Sequence, residues 1–377
     1  MIAARRLLAA VPRPSAPARR AIPGTKFMRL PALDPRRLGA ILLTLAIGAA
    51  GGAAAASFDV PAGWLIGAAV AVTIAAVSGV DTSIPPRLRD LAFVSIGLSM
   101  GSGVSHETIT ESARWPLSLV MVVVCVAVII AAVYAYLRVV NRYDRGTALL
   151  SAVPGVLSYN VALALEGYGE ARTVALVQSI RLIVLITTVP LFVDLVSTVG
   201  PQPDRPIMAP LAIVGVIVAG FAAGALCAKL RIPAPYLIGG MLVSVGAHLT
   251  DTVVGGLPLW LVAPGFIITG CLTGSRFAGI TGAELRAAVG AGVMVMVVAS
   301  LISAAFALAV AVLLAMPFGQ VWVAFAPGGV EAMVAIALSL DLDPTYVAAH
   351  HVLRFVVISL AMPMIIAAMR LQKRAAA

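Results

Sequence analysis

The stretch SAVPGVLSYNVALALEG, residues 151–167, lies between two of the most apolar runs in the chain, yet it carries a Pro-Gly pair, an Asn and a Glu. A second stretch, APGGVEAMVAIALSLD at residues 326–341, repeats the break. Proline has no N–H and glycine admits dihedrals closed to other residues, so a helix entering either stretch should unwind at the pair. Unwound backbone in a bilayer leaves amide and carbonyl groups unpaired, at several kcal/mol each, unless protein or a water-filled cavity receives them. Whether that cost applies depends on the rest of the chain.

The rest of the chain is membrane-like. Of 377 residues, 61% are hydrophobic and 11% charged, with a mean hydropathy of +1.05, a composition foreign to soluble domains. Runs such as 116–140 and 286–316 exceed the roughly 20 apolar residues that a helix needs to cross the hydrocarbon core. The fold class read from this is an all-α integral membrane protein with no sizeable soluble domain, partnered by the lipid bilayer. The net charge of +10 is concentrated in a tail, 1–37, which holds nine basic residues against the single acid Asp34. That placement fits an orientation signal facing the cytoplasm better than a nucleic-acid surface. The tail has no apolar core of signal-peptide length before Pro12, and Met28 is an alternative start. Cys125, Cys227 and Cys271 all sit in apolar segments without metal or redox spacing, and read as packed thiols.

The chain also repeats itself. PAGWLIG from Pro61 matches PAPYLIGG from Pro233, IGLSMGS from Ile96 matches TGCLTGS from Thr269, and Pro154-Gly155, Arg181 and Pro190 fall on Pro327-Gly328, Arg354 and Pro363. This divides the chain into the tail 1–37, a first repeat 38–199, a linker 200–206, a second repeat 207–370 and a C-terminal tail 371–377. Each repeat reads as about five spans plus a Pro/Gly-broken hairpin or discontinuous helix. Apolar segments lie at about 38–56, 62–80, 87–103, 116–140, 146–168 and 171–197, and then at 206–228, 234–253, 257–277, 286–316, 319–341 and 344–370. Glycines four apart, Gly48 with Gly52, Gly97 with Gly101 and their counterparts Gly220, Gly224, Gly270 and Gly274, read as close helix crossings. Five crossings plus a re-entrant stretch would put Arg87, Arg89, Arg138, Arg142, Arg145, Lys229, Arg231, Arg276, Arg286, Arg370, Lys373 and Arg374 on one side. Six would move Lys229, Arg231, Arg276 and Arg286 across. The positive-inside tendency favours five, hence inverted repeats with both termini cytoplasmic.

Two Pro/Gly-interrupted segments at corresponding places in two halves point to a transporter site near the midplane. A pair of packing kinks without a ligand is the competing reading. The candidate residues are Pro154, Gly155, Ser158 and Asn160 in the first stretch and Pro327, Gly328, Gly329 and Glu331 in the second. Arg181 and Arg354 join them, each well inside a span where a charge needs an interior partner, with Gln178 and His351 one turn earlier on the same helix faces. The arginines either bind a substrate anion through the guanidinium fork or cap the exposed carbonyls of the broken helices. Glu331 is the candidate for carrying a proton or holding a cation, or else a fixed partner of Arg354. Asp341 and Asp343 read as a water-facing turn.

PGVLSYN and APGGVEAM, each followed by an Arg-bearing span closing on Pro190 or Pro363, resemble the bacterial AbrB membrane-protein family over nearly all of 38–370. Members of that family are often labelled putative ammonia monooxygenase or regulators of gene expression. The family pattern has a Pro-Gly-Gly run with a nearby acid in both halves. Val156 stands in place of the second glycine here and no acid follows the first break until Glu166, which tells against a symmetric two-carboxylate site. A more distant resemblance is to sodium-coupled bile-acid-type symporters, in which such a run marks a discontinuous crossing helix.

Oxidation chemistry at copper or iron needs clustered imidazole or carboxylate ligands. The chain has four histidines: His106 opens HETITE, which is not the HExxH motif, His248 is alone, and His350 and His351 point to different faces of one helix. An enzyme is therefore not expected, nor is a metal or other cofactor. The expected function is a secondary-transporter-like carrier in the bacterial inner membrane, moving a small solute by alternating access. An anion is among the candidate solutes, and a proton or a sodium ion among the candidate coupling ions. The alternative is a membrane-embedded regulator of gene expression acting indirectly, without transport. Nothing in the sequence fixes an oligomeric state.

Overall fold

A computed structural model describes residues 35–103, 112–155, 157–196, 206–230 and 232–375, with side chains as far as 366. The tail before 35, most of the linker, His106, Val156 and Arg231 lie outside the described residues, as do the side chains of Arg370, Lys373 and Arg374.

Among the described residues the chain is helical, without strands. The first seven helices are α1 (Pro35–Ser57), α2 (Gly63–Val77), α3 (Pro86–Gly101), α4 (Trp115–Val139), α5 (Arg145–Ala152), α6 (Leu157–Leu163, extended by a π turn over Ala164–Tyr168) and α7 (Ala171–Val196). The next seven repeat the pattern: α8 (Pro210–Lys229), α9 (Pro235–Leu249), α10 (Leu259–Gly274), α11 (Gly282–Leu314), α12 (Phe318–Phe325), α13 (Val330–Ser339) and α14 (Pro344–Ala375). Six of them, α1, α4, α7, α8, α11 and α14, are long and apolar enough to cross a membrane, so the protein is an all-α membrane protein.

Local signals mark the helix starts, and one of them recurs at matched places. Prolines open α3, α4, α8 and α9, where a missing N–H costs nothing. Ala62 and Ala234, just ahead of α2 and α9, are both left-handed. Asp144 caps α5 by accepting from the amides of Gly146 and Thr147 at 2.9 and 3.1 Å. Asp343 does the same at the start of α14, receiving the amides of Thr345 and Tyr346 at 2.8 and 3.2 Å. The exposed Asp341 turns beside it with a positive φ.

The first broken stretch is a hairpin and not a discontinuous crossing helix. Gly146, at the start of α5, has no room for a Cβ against the carbonyl of Tyr168, at the end of the π turn. The hydroxyl of Thr147 accepts the amide of Glu170 at 2.7 Å. The chain therefore returns to the end it entered from, and α7 starts where α4 finished. In the second half, α12 and α13 are anchored on α14 as α5 and α6 are on α7. His351 Nε2 lies 3.0 Å from the carbonyl of Val323, where Gln178 Nε2 lies 2.6 Å from that of Leu150.

The direction of α11 then settles the relation between the halves. Arg172 at the start of α7 bonds Glu284 at the start of α11 at 2.7 Å, and Ile180 packs on Gly292 two turns further along both. Helix α11 thus runs with α7 and against α4, its own counterpart, so the repeats are inverted. The inner helices agree. Gly97 and Gly101 of α3 meet Leu237–Met241 and Met241–Val245 of α9, and Gly270 and Gly274 of α10 meet Leu65–Ala69 and Ala69–Thr73 of α2, in parallel registers. Each half thereby lends α3 or α10 to the partner half's second helix, and the two interlock.

This geometry gathers the basic chain ends. Arg138, Arg142 and Arg145 between α4 and α5, Arg172 at the start of α7, Arg286 at the start of α11, Arg276 after α10, Arg87 and Arg89 at the start of α3 and Lys229 at the end of α8 all fall at one end. Arg36 and Arg37 join them, because α1 runs against α2. Arg114, at the start of α4, falls at the other end. The three cysteines are buried and unbridged, packing as apolar residues do.

The matched glycines are close-approach positions, because the neighbour at Gly97 is the backbone carbonyl of Leu237 and cannot swing aside. Gly97→Leu is expected to abolish the monodisperse folded protein in detergent, beyond the ~1–3 kcal/mol of ordinary overpacking. Gly215→Ala on α8, with nothing within 4 Å of the new methyl, should leave the thermal midpoint unchanged or slightly raised. Size-exclusion profiles and thermal unfolding of the two variants check both.

Candidate functional site

The two breaks meet. Gly155 has a φ of +88°, open to glycine and strained for other residues, and a Cβ there would sit 3.8 Å from the carbonyl oxygen of Gly328. The same Cβ would lie 3.6 Å from a guanidinium nitrogen of Arg354. Pro154, Pro327 and Gly328 are buried around this junction.

Arg354 holds the junction together. Its guanidinium donates to the carbonyl of Ala326 at 2.6 Å, which also receives the amide of Gly328 at 2.8 Å, and to the carbonyl of Gly328. A third donor reaches His351 Nδ1 at 2.7 Å. His351 can accept there and still donate to Val323 only as the neutral tautomer with its proton on Nε2. The imidazole is a fixed strut between α14 and the end of α12. It is fully buried and does not line the cavity described below.

The first half copies this arrangement up to a point. Gln178 takes the place of His351 and donates to Leu150. Arg181 takes the place of Arg354, but its bond to Gln178 Oε1 is 3.4 Å and its Nε has no partner. The carbonyl that Arg181 would cap is that of Val153, and Asn160 caps it instead at 3.1 Å. Asn160 is consequently buried and acts as backbone capping, away from the open space. The two roles open to the arginines are divided: Arg354 caps carbonyls, and Arg181 is released from that task.

Arg181 is released into a cavity of about 690 Å³. Gly155, Ser158, Gln178, Gly329 and Glu331 line it with Arg181, and it runs past Phe93, Leu272 and Phe355 to Arg89 and Asp90 near the basic end. The sequence-derived candidates thus separate. Gly155, Ser158, Gln178, Arg181, Gly329 and Glu331 face the cavity, whereas Pro154, Asn160, Pro327, Gly328, His351 and Arg354 are buried and do not line it. Glu331 makes no ion pair with Arg354, whose donors go to carbonyls and His351. It follows the break on α13, at a helix start where a negative charge is favoured, with Arg276 the basic group within its electrostatic reach.

Arg276 was legible only as an orientation signal. It stands after α10, where the first repeat has Gly103, and it lines the cavity within electrostatic reach of Arg181. The sequence signal that marks it is this break in the duplication, a charge appearing in one copy alone. Thr269 and Thr273 also line the cavity and were equally unmarked; their hydroxyls bond back to Gly265 and Thr269 on their own helix.

Comparison with known proteins gives a family. A family model described as transition state regulatory protein AbrB matches residues 64–370. The chain is similar to the protein described as uncharacterized protein YhjN of Bacillus subtilis (strain 168), 23% identical over 354 residues that cover 85% of this chain and 90% of that one. No solved structure matches the chain.

The two arginines should differ in stability. Arg354→Gln removes two charge-assisted bonds to buried carbonyls of an unwound segment, and at ~1.5–3 kcal/mol for each bond to a charged donor it should lower the thermal midpoint in detergent by many degrees. Arg181→Gln removes a buried charge with one long bond and should move the midpoint by a few degrees at most. Unfolding curves of both, with Asn160→Leu as the first-half counterpart of Arg354→Gln, check the division of labour.

Proposed function

We propose, from the premise that this chain belongs to the AbrB family, that it is a secondary carrier moving a small solute across the bacterial inner membrane by alternating access. The observation that carries the reading is the meeting of two inverted, interrupted hairpins at one polar cavity. Backbone loosened in a bilayer is tolerated where it lines something wet or bound, and paired broken segments in inverted halves are the arrangement of such carriers. The gathering of basic ends supports placing that end, and both termini, in the cytoplasm. The cavity then opens inward.

The two hairpins support a two-sided mechanism because they are packed differently. Residues 332–337 of α13 are all buried, whereas Ser158, Tyr159 and Ala162 of α6 are exposed. Inverted repeats have the same two conformations available, so exchanging them would close the basic end and open the other. A proton or sodium ion as coupling ion is part of the same proposal, with Glu331 as the acid nearest the breaks.

A second reading is favoured by the family's description as a regulatory protein: a membrane-embedded regulator that acts on gene expression indirectly, without transport. Side-specific labelling separates the two. A cysteine at Ser158, in a chain whose three buried native cysteines are replaced by alanine, should react with a membrane-impermeant maleimide from the basic side in the resting state. Under turnover conditions a carrier should expose it from the opposite side as well. Reaction confined to one side in every condition tried, together with no solute flux in proteoliposomes, would leave the regulator reading standing.

A further inference from the structure

We infer that the solute is an organic anion with an apolar body, its carboxylate received between Arg181 and Arg276. The inference rests on reading the cavity as a ligand site, and adds the chemical class of the ligand.

Charge supplies the first argument. Five charged side chains line the cavity: Arg89, Arg181, Arg276, Asp90 and Glu331. Arg89 is bonded to Asp90 through two nitrogens at 3.0 and 2.8 Å, so that pair is neutral. Two guanidiniums and one carboxylate remain, leaving one positive charge. An anion offsets it, the buried Arg354 behind Gly155 adds to the attraction, and a cation is disfavoured.

Partnering supplies the second. Arg181 is 4% exposed and carries an unpartnered Nε and one 3.4 Å bond, an incomplete set for a buried cation. Its charged neighbours from the packed helices are Arg276 after α10 and Arg354 on α14, both repulsive. At the carbonyl of Val153, the counterpart of Ala326, the donor is Asn160. An oxyanion at its cavity side would supply what is missing, and a planar fork suits a carboxylate. Size and wall character complete the argument. About 690 Å³ falls within the usual range of ~300–1,000 Å³ for small-molecule sites, and Phe93, Leu157, Leu272 and Phe355 give the cavity an apolar flank.

The test is thermal unfolding of the purified full chain in detergent, titrated with monocarboxylates graded from acetate to 4-phenylbutyrate and with the corresponding neutral amides. At least one carboxylate with an apolar body should raise the midpoint in a saturable way, above acetate and above its own amide. Arg181→Gln should weaken that binding about 10- to 100-fold, the loss expected of a charge-assisted bond, with Arg181→Lys in between. Should Arg181→Gln not fold, Arg276→Gln, at the exposed edge of the cavity, carries the same expectation. The inference is overturned if no carboxylate stabilises the protein, if amides serve as well, or if the arginine variants bind as the wild type does. Binding without flux in proteoliposomes keeps this inference and removes the carrier reading; flux of neutral or cationic solutes without carboxylate binding does the reverse.

Discussion

A carbonyl with no hydrogen-bond donor cannot be left in the interior of a membrane protein, and the architecture around residues 154 and 327 answers that constraint. Breaking α12 from α13 takes the carbonyls of Ala326 and Gly328 out of the helical ladder, and Arg354 spans both. The arginine is itself costly to bury, but the two carbonyl dipoles and a neutral His351 offset the charge without any acid. Its placement ten residues into α14 fixes how deep the junction lies, with Gly155 of the first hairpin beside it.

The functional asymmetry grows from one side chain. An inverted duplication would ordinarily give two arginines doing the same thing. Asn160 occurs where the second repeat has Met333, and by bonding Val153 it does the capping that Arg181 would otherwise do. Arg181 is left near the cavity with donors unused. Arg276, present in one repeat only, adds a second positive group beside it. The tightly packed second break and the charged cavity beside the first are thus both consequences of departures from the repeat.

Helix crossings set the frame that holds these parts at the right depth. Gly97, Gly101, Gly270 and Gly274 let α3 and α10 lie against the partner half's helices at backbone contact. Such contact replaces the hydrophobic driving force that is absent between helices in lipid. The interlocked pairs give the hairpins a rigid wall, and the cavity forms where that wall, α7 and the two breaks do not fill the space.

Much of this was written in the order of residues. Hydropathy announced the long spans, because twenty apolar residues have one stable home. The duplication with its Pro-Gly pairs announced two breaks, and the distribution of arginines favoured inversion, because Lys and Arg report which loop stays on the cytoplasmic side. The sequence could not say whether the broken stretch crosses or returns, since a hairpin and a kinked span have the same composition; the contact of Gly146 with Tyr168 decides it. Nor could it divide roles between Arg181 and Arg354, which look equivalent along the chain. That division depends on which donor reaches a given carbonyl first, a matter of distances across the junction that only the folded molecule sets.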